Sequence, residues 1–347
     1  MKQLYLLPLL AILALTGCKK DDDASRPGNL TIEKTEYTLD ADEERTATVA
    51  FTAAADWTLS VVYDDAESSV DWLSVTPASG TAGEQTVELS ATRNFRASAR
   101  TAYADLSCGE QSVRLTVTQA ASGDTNFTAQ FDKAFAQELQ KQDIIADAEH
   151  ITPEDMEKIA TITRLDVSGT YENRGTLTSL QGIEYFESLT YLNCDYNQLT
   201  ELDVSQNTAL TDLGCSSNQL TALDVSRNTE LRYFVCFNNQ LTELDVSRNT
   251  ELTILGCNTN QLTELDVSAN TKLETLWCDY NQLTELDVSR NTVLTELSCS
   301  DNPGDGESTF PVTVWFDNET EPAGLKVYSS SWTYGGKTIT IDFRKAE

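Results

Sequence analysis

Six cysteines recur every 21 residues: Cys194, Cys215, Cys236, Cys257, Cys278 and Cys299. A column of thiols invites three chemistries. A metal or cluster site uses local pairs of ligands that close a tetrahedron, and single cysteines 21 residues apart offer no such pair. Disulfides between adjacent rungs are conceivable on distance, but parallel side chains on stacked strands point the same way, which fits bridge geometry badly. The third reading is six buried free thiols acting as small hydrophobes. A Cys/His catalytic pair would need His150, the chain's one histidine, next to a thiol, and it lies ahead of the column. Cys108 stands apart with no obvious partner. A second column, Asp203, Asp224, Asp245, Asp266 and Asp287, points outward and could collect Ca2+. These carboxylates recur, however, because the whole Thr-x-Leu-Asp-Val-Ser unit around them recurs. With no GxGxxG, Walker, HExxH or CxxC pattern, the expectation is no enzyme, no cofactor and no resident metal.

The columns are positioned by a repeat. One unit runs from Leu210 through Leu213, Cys215, Asn218, Leu220, Leu223, Val225 and Asn228 to Leu231, where the next begins. Leu213 and Cys215 alternate with Gly214, so both point inward from a short strand. One rung alone cannot bury its leucines, whereas stacked rungs share a continuous core. Asn197, Asn218, Asn239, Asn260, Asn281 and Asn302 sit where the chain leaves the strand, placed to bond backbone groups that the bend leaves unpaired. Asn207, Asn228, Asn249, Asn270 and Asn291 are expected to do likewise at the other bend. The pattern LxxLxCxxNxLxxLxVxxN resembles the bacterial leucine-rich repeats with nested periodicity. Two irregular units upstream, around Leu165-Val167 and Leu177-Phe186, resemble internalin-type first rungs. The repeats are placed at 161–302.

The flanks are expected to close this core. Phe131, Phe135 and Leu139 predict a helix over 127–141. Thr152, Pro153 and Asp155 mark a second helix start, making 122–160 a linker and helical cap. Alternation at Phe310, Val312 and Val314, and at Ile339, Ile341 and Phe343, with Gly335-Gly336 as a hairpin turn, predicts a C-terminal β cap over 303–347. Trp315, Trp332 and Tyr334 could stack on sugars, but are placed in its core.

Residues 29–121 read as an all-β sandwich, from runs such as Ala47–Phe51, Thr86–Leu89 and Ser112–Val117 separated by turn residues. The segments around Trp57, Trp72-Leu73-Ser74-Val75 and Thr118-Gln119 resemble the BACON domain, an Ig-like fold whose name implies glycan binding. Trp57 and Trp72 sit among strand residues, where core packing and a spacer role are the alternative. The fold class is thus mainly β with an α/β-type solenoid.

Residues 1–17 read as a secretory signal: a lysine, then an apolar run too short to span a membrane. Leu15-Thr16-Gly17-Cys18 resembles a bacterial lipobox. The resemblance implies lipidation (palmitate among the acyl chains) at Cys18, and several chains on one residue anchor a protein stably. Lys19-Lys20-Asp21-Asp22-Asp23, in an acidic linker over 18–28, is similar to the export signals of Bacteroidetes surface lipoproteins and implies an outward-facing place on the cell outer membrane. The net charge of −31 argues against nucleic acid, whose phosphates need clustered Lys and Arg.

The repeat also compares its own rungs. The Glu-Leu-Asp-Val-Ser half barely changes, from Glu201 to Ser289, with Ala222 replacing glutamate once. The outward positions of the other half change at every rung. Tyr191, Asn193, Asp195 and Tyr196, then Tyr233, Val235 and Phe237, then Trp277, Asp279 and Tyr280 are the candidate ligand contacts, because large rings are enriched in binding cores. The expectation is a monomeric surface protein that binds a protein or glycan. The alternative is an accessory lipoprotein subunit of an outer-membrane complex.

Overall fold

The computed structural model describes residues 30–63, 71–316 and 324–346. The signal segment, Cys18 and the charge run after it lie outside these residues. No helix among the described residues is long and apolar enough to cross a membrane. The chain is mainly strand and divides into two compact units, one of which gathers Thr46–Ser90, Ala102–Val117 and the residues up to Tyr37.

The N-terminal strands form two sheets. One orders Leu30–Ile32, Thr46–Ala53, Gly83–Ala91 and Leu73–Thr76; the other orders Glu36–Leu39, Gln111–Gln119, Arg100–Cys108, Trp57–Tyr63 and Ser79–Gly80. The alternation that marked these strands in the sequence is the alternation of burial: Val49, Phe51 and Ala53 are buried, and Thr48, Ala50 and Thr52 between them are exposed. Trp57 and Trp72 are both core residues. Phe51 meets the Trp57 ring edge-on at 4.9 Å, the arrangement aromatic quadrupoles favour.

Two helices precede the repeats. Helix α1 spans Lys133–Lys141, later than the expected 127–141, because Asp132 caps its N-terminus by accepting from the backbone N–H of Ala134 and Phe135. Phe131 therefore lies before the helix in extended backbone. Helix α2, Pro153–Ala160, starts as its sequence says: Thr152 and Asp155 form a reciprocal capping box with Pro153 in the first turn. Their apolar faces, including Phe135, Leu139, Met156 and Ile159, join one core with the leucines of the repeats.

The repeats stack as a parallel sheet of eight short strands. A leading rung, Arg164–Asp166, is followed by rungs 1 to 6: Tyr191–Asn193, Asp212–Gly214, Tyr233–Val235, Ile254–Gly256, Thr275–Trp277 and Glu296–Ser298. From rung 1 to rung 6 each residue pairs with the one 21 positions on. The sequence reading missed a seventh rung. Lys326–Val327, inside the expected cap, pairs in parallel with rung 6 and extends the same sheet. The Glu-Leu-Asp-Val-Ser halves are mostly irregular; only Leu286–Asp287 is a strand there, paired with Thr309–Val314. The hairpin at Gly335-Gly336 joins Ser331–Tyr334 to Lys337–Lys345, and both glycines have positive φ. Trp332 is buried and donates its Nε1–H to the Asn302 carbonyl at 2.8 Å. Trp315 is half-buried and Tyr334 is exposed, so Tyr334 is not core.

The two asparagine columns are unequal. In the first, Asn239 donates Nδ2–H to the Cys236 carbonyl of its own rung and to Cys215 of the rung before, while its Oδ1 accepts the Leu220 N–H. In the second, Asn249 donates to the Val225 and Asn228 carbonyls. Its buried Oδ1 has no partner among the described residues, and the same holds for Asn207, Asn228, Asn270 and Asn291. Asn239→Ala should therefore be the more damaging change. It strands an N–H as well as carbonyls, at about 1–3 kcal/mol per unsatisfied group, whereas Asn249→Ala removes donors only. Urea unfolding of the two variants ranks them, and an equal or reversed order would contradict the asymmetry.

Candidate functional site

Registering the strands places the variable residues in columns. The first outward column reads Arg164, Tyr191, Asp212, Tyr233, Ile254, Thr275, Glu296 and Lys326; the next runs Asp166, Asn193, Gly214, Val235, Gly256, Trp277 and Ser298. Beyond the strand, Asp195, Phe237 and Asp279 share a third column. Tyr196, Ser217, Asn238, Thr259, Tyr280 and Asp301 form a fourth, every one at a φ between 54° and 57°. The left-handed conformation is unusual for tyrosine and for β-branched threonine. It recurs because it directs the backbone N–H of Tyr196, Asn238 and Tyr280 to the Ser216, Asn258 and Ser300 carbonyls of the next rung.

The columns reveal a pattern that the linear sequence hides. Every aromatic ring of this face lies on an odd rung: Tyr191 and Tyr196 on rung 1, Tyr233 and Phe237 on rung 3, Trp277 and Tyr280 on rung 5. Tyr328, just after the seventh strand, continues the alternation. The even rungs carry Asp212, Gly214, Ser216 and Ser217, then Ile254, Gly256, Asn258 and Thr259, then Glu296, Ser298, Ser300 and Asp301, with no ring among them.

Exposure sorts the expected contacts. Tyr233 is 37% exposed, Tyr280 56% and Tyr328 49%, while Tyr191, Asn193, Asp195, Tyr196, Phe237, Trp277 and Asp279 are half-buried. Val235 is corrected from contact to floor, being only 3% exposed. A Cβ built on Gly256 would lie 3.0 Å from Val235 Cγ1 and 3.3 Å from Trp277 Cε3, so both side chains lean into the space glycine leaves. The space over Gly214 is rimmed instead by oxygens of Asn193 and Asp195. The end rings carry cations: the Arg164 guanidinium lies 3.4 Å from the Tyr191 ring centre, and the Lys326 ammonium 4.0 Å from that of Tyr328. Between them the face is acidic. Burial pushes the Asp195 and Asp279 carboxyls above the usual range, against hydrogen bonds from Ser216 and Ser298 that favour the ionised form.

The constant face has a different character. Ser205, Ser226, Ser247, Ser268 and Ser289 each donate a backbone N–H to the aspartate two residues before, at 2.8–2.9 Å. Hydrogen bonds from Ser247 and Ser268 hold Asp245 and Asp266 below the ordinary carboxylate range. The aspartate column thus has a local job in closing each bend, which accounts for its repetition. An open groove of about 1100 Å3 passes over this face, walled by Glu243, Glu264 and Glu285 with Asp245 and Asp266. It is nearly uniform, its carboxylates alternating with Leu223, Leu244, Leu265 and Leu286, and no ring lines it.

The cysteine column is free thiols, all buried. Cys194 and Cys215 donate S–H to the Gly214 and Val235 carbonyls of the following rung. Burial raises the pKa of all six, with Cys257 and Cys299 pushed up to about 12. Inert packing is the chemistry such thiols offer. Cys108 is likewise buried, its S–H 3.5 Å from the Ala55 carbonyl.

The comparisons with known proteins accord with this architecture. The viral BACON domain family matches residues 29–122. Internalin J of Listeria monocytogenes serotype 4b (strain F2365) is 40% identical over 85 residues, which are 24% of this chain and 8% of that protein. A solved structure described as the functional domain of InlJ from Listeria monocytogenes, including a cysteine ladder, is 28% identical over 63% of this chain and 61% of its own, with a TM-score of 0.32. The leucine-rich repeat domain of APL1B is 19% identical over 56% of this chain and 61% of its own, with a TM-score of 0.36. The chain thus spans under a tenth of the curated internalin. It carries a BACON-type domain followed by internalin-like leucine-rich repeats.

The thiols make stability sensitive to alkali. A raised folded pKa means that the native state keeps a proton which the unfolded chain, with thiols near pKa 8.5, gives up. The contribution is intact below that pH and falls as pH rises above it. By pH 9.5 the loss is about 1.4 kcal/mol per thiol, or about 8 kcal/mol over six. Urea unfolding at pH 7 and 9.5 should show it, and Cys236→Ala with Cys257→Ala should remove about a third. A flat profile, or rapid alkylation of the native protein, would overturn the packing account.

Proposed function

We propose that this is a lipid-anchored recognition protein of the bacterial cell surface, which binds a partner protein through the variable strand face of its leucine-rich repeats. The observation that carries the reading is the contrast between two outward faces of one repeat. The same duplicated unit presents one face that is nearly invariant and another that differs at every rung. That variable face gathers partly exposed Tyr191, Tyr233, Trp277 and Tyr280. Rings of this kind give contact area at little entropic cost. Internalin-like repeats support protein recognition over catalysis, and the described residues hold no group of three or more potential metal ligands. Cys18, which lies outside the described residues, is the proposed lipid attachment. The BACON-type domain serves as the spacer between that anchor and the solenoid, its two large rings, Trp57 and Trp72, being spent on its own core.

Two experiments test this. Cys18→Ser should convert a membrane-fractionating protein into a soluble one, and protease added to intact cells should digest the wild type; a protected wild type contradicts surface exposure. For recognition, the chain is used to capture a partner from extracellular proteins, and affinities are then measured. Trp277→Ala and Tyr233→Ala should each weaken binding by about 2 kcal/mol or more. Glu264→Ala and Ser247→Ala, in the constant groove, should change it little. Losses confined to the constant face would assign recognition to the acidic groove instead.

A further inference from the structure

We infer that the variable face holds a proline-rich segment of its partner, flanked by basic residues, in the polyproline II conformation and laid across the rungs with its turns between the aromatic ridges. This deepens, and rests on, the assignment of that face as the recognition surface.

The argument is one of period. Stacked strands lie about 4.8 Å apart, so ridges on alternate rungs repeat at about 9.6 Å. A polyproline II helix rises about 3.1 Å per residue with three residues per turn, or about 9.3 Å. Over the three intervals from Tyr191 to Tyr328 the two lattices slip by only about 1 Å. Two turns of an α-helix advance about 10.8 Å and lose step by about 3.6 Å over the same span. An extended strand presents the same side about every 6.7 Å and is out of step by the second ridge. Every third residue of a polyproline II segment would therefore fall over an even rung, where Gly214 and Ser298 stand outward with small side chains or none, the gap at Gly256 being narrowed by Val235 and Trp277.

Chemistry agrees with the spacing. Aromatic-lined grooves are how folded domains take proline-rich segments. A polyproline II backbone has no internal hydrogen bonds, so its carbonyls need outside donors. The Tyr233 hydroxyl and Trp277 indole N–H lie on the inner ridges and make no hydrogen bond among the described residues. The end rings Tyr191 and Tyr328 are already covered by Arg164 and Lys326, which leaves the rings of rungs 3 and 5, with Tyr233, Trp277 and Tyr280, as the platforms. Asp195, Asp212, Asp279, Glu296 and Asp301 favour basic residues beside the prolines, since complementary charge steers and registers a partner.

The test uses the full chain and three probes: a peptide of nine prolines flanked by three arginines, the same peptide with glycine for every proline, and a neutral β-linked hexasaccharide. Calorimetry should show the proline peptide binding at least tenfold more tightly than the glycine peptide. Tyr233→Ala, Trp277→Ala and Gly214→Leu should each remove that advantage, with folding checked by circular dichroism and Glu264→Ala unchanged. Gly214→Ala, whose added methyl has the side-chain ends of Asn193 and Asp195 as its nearest neighbours, serves as the mild variant and should weaken binding less than leucine. Equal binding of the two peptides, or none by either, overturns the inference. Hexasaccharide binding that Trp277→Ala abolishes would also overturn it, while leaving the variable face as the recognition surface. Binding of any probe lost through Glu264→Ala and retained in Trp277→Ala removes both.

Discussion

The fold depends on the asparagine that ends each strand. A bend in a buried chain leaves backbone donors and acceptors that must be paired. Here each bend is completed by the rung that follows it: Asn218 accepts the Leu199 N–H, Asn239 that of Leu220, Asn260 that of Leu241. The same side chains tie the cysteine carbonyls of consecutive rungs together. The bend of each rung is therefore completed by its successor, and the series needs a terminus. Helices α1 and α2 close the first end. At the other, the Trp332 indole donates to the Asn302 carbonyl, and a non-repeat strand is added in register.

Because leucine, cysteine and asparagine hold the interior, most outward strand positions are free to vary, with Val235 and Thr275 among the buried exceptions. Each rung lies on its neighbour at a fixed spacing, so whatever stands outward is displayed on a ruled lattice. Aromatic rings on alternate rungs turn that lattice into ridges and hollows. The constant face cannot be used in this way, since its aspartates are engaged in closing their own bends. Local geometry thus separates a face that builds from a face that is free to recognise.

Much of this was legible in the sequence. The 21-residue period gave the register, and the inward leucines and thiols were readable from alternation alone. The helix start at Thr152-Pro153 and the hairpin at Gly335-Gly336 were equally plain. Other features depend on what neighbours do. Val235 occupies an outward strand position, but a glycine in the next rung lets it and Trp277 lean into the gap, and Val235 ends buried. The left-handed conformation of Tyr196, Thr259 and Tyr280 carries no glycine to announce it. The seventh rung was hidden because Lys326–Val327 lacks the repeat pattern, and Tyr328 was missed with it. The odd-rung placement of the rings emerges only when residues 42 apart in sequence are set two rungs apart in space.

The most direct test of the account is a footprint of the bound partner on the intact chain. Hydroxyl-radical oxidation, read by mass spectrometry with and without the captured partner, reports on each exposed ring separately. The account predicts protection of Tyr233, Trp277 and Tyr280, with residues around Glu243, Glu264 and Glu285 oxidised as in the free protein. Protection confined to the glutamate-lined groove, with the rings of rungs 3 and 5 still open to radicals, would contradict it.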